Sequence, residues 1–281
     1  HGGGPYKKTG DDAFHSIWHR LETKMHAKNV KYILSSCEFF SKYEARGMAY
    51  SEEQCIPSGT PRNDIFFEDA LALKEKVYNY YEIPKEHKLV LYAPTFRRDM
   101  KSHTNLRSYG NINIDVDKVL NALATRFSGQ WEYAIRFHPK LKNIEINNSC
   151  VINFTEYPDM QELLYAADVI ITDYSSLMWD FSFTGRPCFL YATDIEEYER
   201  VHGFYMPVSS WPFPIARDNE ELEHNILNFD YSKYQLHVKR HHEKAGSYEK
   251  GQACKIVADI LKTGEYIAQE KGKSEYGKER V

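Results

Sequence analysis

The chain has 281 residues, enough for one large or two small domains. Its formal charge of −4, from 36 basic against 40 acidic side chains, gives no electrostatic case for a nucleic-acid partner. Five scattered cysteines without a C-x-x-C pair fit reduced thiols better than a disulfide framework or zinc site, and no run of about eighteen apolar residues marks a membrane span.

The chain opens at His1, without an initiator methionine, and reads as a piece of something longer. Residues 1–12, HGGGPYKKTGDD, are glycine-rich and then basic. They are either a linker or tag remnant, or a close-approach loop presenting His1 with Lys7 and Lys8 supplying positive charge beside phosphate. A mixed polar and aromatic helix is expected over 14–27, a strand over 32–35, a short helix over 39–46 and a strand over 54–57. Gly59 and Pro61 then make 58–64 a tight loop, followed by a helix over 65–79 and a polar connection over 82–88.

From Leu89 the pattern alternates between strand and helix. Residues 89–93 read as a buried strand ending in Pro94-Thr95-Phe96-Arg97, followed by a polar loop over 100–114. Val116, Val119, Leu120, Leu123 and Phe127 have helical spacing. A strand over 133–137 carries Arg136 and ends in His138-Pro139-Lys140, and another strand spans 151–154. Asp159 is placed to cap a helix over 159–167. The apolar run 169–172 leads into the turn Asp173-Tyr174-Ser175-Ser176 and a helix over 177–181, which Gly185-Arg186-Pro187 stops before a strand over 188–191. Beyond it, 194–200 is short and acidic, 202–205 is aromatic and turn-rich, and 211–214 is a proline-punctuated loop. Helices are expected over 219–229, 233–242 and 251–261, with a charged tail, disordered in this reading, from Gly264.

Three of these strands therefore end in polar turns, at Thr95–Arg98, His138–Lys140 and Asp173–Ser176. In an open parallel sheet such ends lie on one edge, where ligands bind. Cationic, imidazole and hydroxyl groups gathered there point to an anionic ligand. Ser175 and Ser176 either add hydroxyl donors to a phosphate cradle or simply cap the helix that follows. His237, His241 and His242 share a helix without acidic or cysteine ligands at zinc spacing, so they read as a solvated basic face. The sequence lacks G-x-S-x-G and the Walker glycine-lysine pattern, against a serine hydrolase or a Walker-type NTPase. No Asp-x-Asp pair follows a strand, and neither metal nor cofactor is expected.

Several segments, taken together and in order, resemble the CDP-glycerol glycerophosphotransferase family, the teichoic-acid and capsule polymerases of bacteria. They are His1-Gly2 with Lys7-Lys8 and Gly10, then Gly59-Thr60-Pro61-Arg62-Asn63-Asp64, Tyr92-Ala93-Pro94-Thr95-Phe96-Arg97 and Arg136-Phe137-His138-Pro139. Ile171 to Ser176 with Asp180, Arg186-Pro187, Asp194 to Tyr198 and Gly203-Phe204-Tyr205 complete the set. The Pro-x-Lys-Lys continuation favours the family loop over a tag remnant. The resemblance implies an α/β, GT-B-like fold with a Rossmann-type parallel sheet. Residues 1–65 would be the remnant of a partial first domain, 66–250 the donor-binding domain, 251–263 a helix packing back to the junction and 264–281 a tail.

The resemblance also implies an activity: transfer of glycerol phosphate, or a similar polyol phosphate, from CDP-glycerol or CDP-ribitol with release of CMP. The acceptor would be a lipid-linked saccharide or growing polyol-phosphate chain, placing the protein at the cytoplasmic face of the membrane as a peripheral protein. His1 matches the general base and His138 a second essential histidine beside the pyrophosphate. Ser175 and Ser176 match the phosphate-binding pair, with Thr95 and Asp173 in the same strand-end cluster and Arg97 and Arg136 neutralising the diphosphate. Asp180 either reaches the donor's ribose or glycerol or is a helix-surface carboxylate. A GT-B glycosyltransferase using a nucleotide sugar and a truncated non-catalytic nucleotide-binding module are the competing readings.

Overall fold

The computed structural model describes residues 4, 6–13, 17–95, 114–137 and 148–266, and of Asp11 and His19 the backbone alone. The first helix, α1 (Ile17–Lys28), leads to the short strand β1 (Ile33–Leu34). A π-helical turn over Phe40–Glu44 runs into α2 (Ala45–Gly47), and β2 (Cys55–Ile56) pairs in parallel with β1. The expected helix over 65–79 is instead two pieces. A 3₁₀ segment, Pro61–Phe67, starts with proline at its first position, and α3 (Leu71–Tyr80) follows after a break at Glu68–Ala70.

The remaining strands form one sheet: β3 (Lys88–Tyr92), β4 (Trp131–Ile135), β5 (Val151–Asn153), β6 (Val169–Thr172), β7 (Cys188–Tyr191) and β8 (Ile215–Ala216). Every pairing is parallel, in the order β5-β4-β3-β6-β7-β8. Renumbered from its own first strand, this is the doubly wound 3-2-1-4-5-6 order, which reverses direction between β3 and β6. Every residue of β6 and β7 is buried, as expected of parallel strands covered on both faces. β4 starts two residues earlier than the periodicity indicates. β8, two residues long and preceded by Pro212 and Pro214, carries no alternation to reveal it.

Between and after these strands lie α4 (Val116–Phe127), α5 (Met160–Ala166), α6 (Leu177–Ser182), α7 (Ile195–His202), α8 (Asn219–Leu227), α9 (Tyr231–Ala245) and α10 (Ala253–Thr263). α3 packs against α5, and α4 against α8. Asp159 caps α5 by accepting from the amides of Gln161 and Glu162, as its position indicates. The acidic stretch read only as short is the helix α7, of which Tyr198 alone is buried.

The edge of the sheet away from the polar turns is held by two buried or half-buried charges. The Arg186 guanidinium donates to the carbonyls of Leu164, Tyr165 and Ala167, satisfying the orphan acceptors at the end of α5. Asp168 accepts from Lys74 Nζ at 2.8 Å and from the Leu89 amide at 2.9 Å. The Arg186-Pro187 motif thus has a clear structural role in this chain.

Candidate functional site

The carboxyl ends of β3 and β6 face each other at the point where strand order reverses. Here Asp173, 1% exposed, accepts from the Thr95 amide at 2.9 and 3.0 Å, from Thr95 Oγ1 and from the Tyr174 amide. Next to it Thr172 Oγ1 donates to the Ala93 carbonyl at 2.7 Å. The two strand ends are therefore laced together immediately below the crevice in which α/β sheets bind ligands.

Ser175 and Ser176 follow directly and are half-buried. Ser175 Oγ accepts weakly from the Leu177 amide at 3.4 Å, while Ser176, at the N-cap position of α6, makes no side-chain cap. Ser175 thus contributes some local capping and Ser176 contributes none. Arg136 leaves β4 on the other side of β3, with its amide bonded to the Tyr92 carbonyl. Its guanidinium lies 3.0 Å from Met160 Sδ, and burial lowers its pKa, partly offset by Asp159. Thr95, Asp173, Ser175 and Ser176 are brought together around the switch point, with Arg136 one strand away. His1, Arg97 and His138 lie outside the described residues.

Asp180 is neither exposed nor on a helix surface, which corrects one of its two expected readings. It is 1% exposed on α6 and bound on both oxygens. Arg62 donates through Nε at 3.0 Å, Asn63 Nδ2 at 3.0 Å and Gln161 Nε2 at 3.2 Å. Burial raises its pKa, and Arg62 opposes that shift. Asn63 Nδ2 also reaches Glu249 Oε1 at 3.1 Å, and Glu249 Oε2 accepts from the Thr60 amide. Asp64 accepts from the amides of Ala253 and Cys254, at the positive end of α10. The tight loop Gly59 to Asp64 is thus a clamp joining α6, Glu249 and α10. Sequence reading missed this role, because the only local signal was the run of polar residues itself.

The N-terminal loop is fixed against the same helix. Gly4, three residues after His1, has φ +94°, and a Cβ there would lie 2.8 Å from Trp179 Cβ. Tyr6 is buried, stacks on His241 at 5.6 Å, meets Trp179 and Trp211 edge-on and bonds His241 Nε2 at 3.0 Å. His242 Nε2 is 2.6 Å from Ser182 Oγ, and burial lowers both histidine pKa values to about 4. His241 and His242 are therefore neutral packing groups near pH 7, which corrects the reading of a solvated basic face for these two, while His237 is exposed as that reading has it. Lys7 bridges Phe204, and Tyr6 and Lys8 pair through the backbone with Tyr205 and Gly203. Tyr174 completes the connection by stacking on Tyr198 at 4.1 Å, with its hydroxyl on Asp194.

The family model described as CDP-Glycerol:Poly(glycerophosphate) glycerophosphotransferase matches residues 1–262. The teichoic acid poly(ribitol-phosphate) polymerase of Bacillus spizizenii is 28% identical over 222 residues, covering 76% of this chain and 34% of the relative. The teichoic acid poly(glycerol phosphate) polymerase of Staphylococcus epidermidis is 26% identical over 239 residues, covering 82% and 32% respectively. The chain therefore spans about a third of the length of these two curated relatives. A structure of the wall teichoic acid polymerase TagF superimposes with a TM-score of 0.79 at 24% identity, covering 94% of this chain and 66% of that one. A TagF variant soaked with CDPG has a TM-score of 0.78. These likenesses bear out the α/β, GT-B-like expectation for the fold.

Proposed function

From the premise that this chain belongs to the CDP-glycerol:poly(glycerophosphate) glycerophosphotransferase family, we propose that it binds a CDP-alditol at the β3–β6 switch point and carries the donor half of a polyol-phosphate transferase. The observation that carries the reading is the pairing of Thr95 with Asp173 directly beside the half-buried Ser175 and Ser176. That arrangement leaves hydroxyl groups at the crevice where a diphosphate would lie. Residues 66–250 form the donor-binding unit in this reading. Residues 1–65 are part of the facing domain and α10 packs back through Asp64.

His1 removes the proton from an acceptor hydroxyl, whose oxygen attacks the β-phosphorus of CDP-glycerol or CDP-ribitol. The phosphorus–oxygen bond to CMP breaks, and CMP leaves with the electron pair. His138 donates a hydrogen bond to a phosphoryl oxygen, while Arg97 and Arg136 offset the diphosphate charge. Such transfer depends mainly on positioning and charge stabilisation. Asp180 enters as the anchor of α6 rather than as a ribose or glycerol contact, since both its oxygens are already bonded within the clamp.

The acceptor in this reading is a lipid-linked saccharide or polyol-phosphate chain, met at the cytoplasmic membrane surface. Among the described residues no helix is long and apolar enough to cross a membrane. What supports surface contact is α1, where Ile17, Trp18, Leu21 and Met25 are 74, 81, 50 and 64% exposed. At about 100° per residue they form one stripe, with Arg20 and Lys24 along one side and Lys28 on the same face at its C-terminal end. Cosedimentation with anionic vesicles, lost on replacing Trp18 and Met25 by serine, tests this part.

Calorimetric titration of the chain with CDP-glycerol, CDP-ribitol, UDP-glucose and CMP tests the donor site. CDP-alditol binding weakened by at least about tenfold in the Ser175→Ala/Ser176→Ala double variant and in His138→Ala is the expected result. Selective binding of UDP-glucose instead would establish the nucleotide-sugar reading. CMP binding with no turnover when an acceptor is supplied would establish the non-catalytic one.

A further inference from the structure

Beyond the donor crevice lies a cavity of about 630 Å³, within the size range of ligand sites. Lys7, Lys8, Glu22, His26, Tyr198 and His202 line it. Two lysines and two imidazoles line it with one carboxylate, Glu22, and although Lys7 also lies near the buried Glu44, the lining favours an anion. The cavity shares a wall with the donor turn: Tyr198 stacks at 4.1 Å on Tyr174, the residue before Ser175. Its opposite wall is α1, on which Glu22 and His26 occupy the face next to the exposed apolar stripe. Its third side is the loop continuing from Gly4, whose Lys8 amide is held on the Gly203 carbonyl at 3.3 Å.

We propose that this cavity seats the polyol-phosphate acceptor chain, with Lys8, His26 and His202 contacting its phosphodiesters one or more units back from the reacting hydroxyl. The inference rests on the donor reading for the identity of the chemistry, but its geometry is independent of it. A chain seated here has one wall in contact with the turn that carries Ser175 and another on the helix proposed to meet the membrane. The site recognises a flexible row of phosphodiesters separated by small polar units. The lysines attract the charge and the imidazoles donate hydrogen bonds, while Tyr198, stacked on Tyr174, forms a fixed floor between the cavity and the donor turn.

The test uses the full chain and a synthetic glycerol-phosphate oligomer of a few units, titrated calorimetrically beside CDP-glycerol, free glycerol 3-phosphate and a single-stranded oligonucleotide of equal charge. Lys8 is exposed, so Lys8→Glu is a safe variant, and His26→Ala is a second variant at an exposed position. The expected result is oligomer binding that exceeds monomer and oligonucleotide binding, weakens with salt, falls about tenfold or more in Lys8→Glu, and falls in His26→Ala with CDP-glycerol affinity unchanged. Equal affinity for the oligonucleotide, or no change in either variant, overturns the proposal. Failure of CDP-glycerol to bind the same folded sample counts against the donor reading, and the oligomer titration still decides the cavity.

Discussion

Asp173 at the end of β6 holds Thr95 at the end of β3 through both of its carboxylate oxygens. This one contact closes the base of the switch-point crevice and orients the turn that presents Ser175. Removing the acceptor leaves the Thr95 and Tyr174 amides without their carboxylate partner. Asp173→Ala is therefore expected to cost about 2–4 kcal/mol of stability. Thr95→Val removes the hydroxyl bond alone and is expected to cost about 1 kcal/mol. Urea unfolding of the two variants distinguishes them, and equal costs would contradict the central place given to the carboxylate.

The clamp around Asp180 gives a second ordering. Arg62→Ala strips the main cation from a buried carboxylate, a loss of about 3–5 kcal/mol where the charge is left uncompensated, reduced here because Arg62 remains partly solvated. Asp180→Asn keeps the shape and removes the buried charge, so it is expected to be milder. Thermal unfolding should therefore rank wild type above Asp180→Asn and Asp180→Asn above Arg62→Ala. An Arg62→Ala protein as stable as wild type would remove the clamp from any structural role.

The elements legible from sequence were those with strong local patterns. β3 from Leu89 on, β6 up to Ile171 and the whole of β7 are apolar runs because both faces are covered. Likewise α4 shows its apolar stripe, and Asp159 its cap. Polar residues at the strand ends were also readable, since turn chemistry is local. The clamp was not, because Arg62 meets Asp180 across 118 positions and Asn63 meets Glu249 across 186. Such pairings leave no periodicity at either end. The role of His241 was hidden for the same reason, its ring being stacked on Tyr6 from the far end of the chain.

Gly4 and Gly264 make a controlled pair. Both have positive φ, +94° and +75°, but a Cβ at Gly4 meets Tyr6 and Trp179 below 3 Å whereas Gly264 has nothing within 4 Å. Gly264→Ala should cost only the backbone penalty of about 1 kcal/mol. Gly4→Ala adds displacement of the loop from Trp179, for a total of about 2–4 kcal/mol, and is also expected to slow any transfer that depends on the loop carrying His1. Unfolding curves and turnover measured together check this. Similar stability losses at the two glycines would show that the loop yields to the added methyl group.

Glu44 makes stability depend on pH in a specific direction. Its side chain is buried in the π-helical turn, and burial pushes its pKa up to about 8, partly opposed by the nearby Lys7. The folded protein thus holds this proton through a range where the unfolded chain, with a carboxyl near 4.5, releases it. Folding is unhindered by Glu44 below about pH 4.5 and is increasingly penalised as pH rises, until the folded group also ionises near pH 8. Glu44→Gln removes the titration while keeping the shape. It should match wild type below about pH 4.5 and become more stable by about 4–5 kcal/mol at pH 8 and above. Paired melts at pH 5, 7 and 9 measure this difference, which should grow across the series. A constant difference, or one that shrinks as pH rises, would mean that Lys7 holds Glu44 ionised inside the fold.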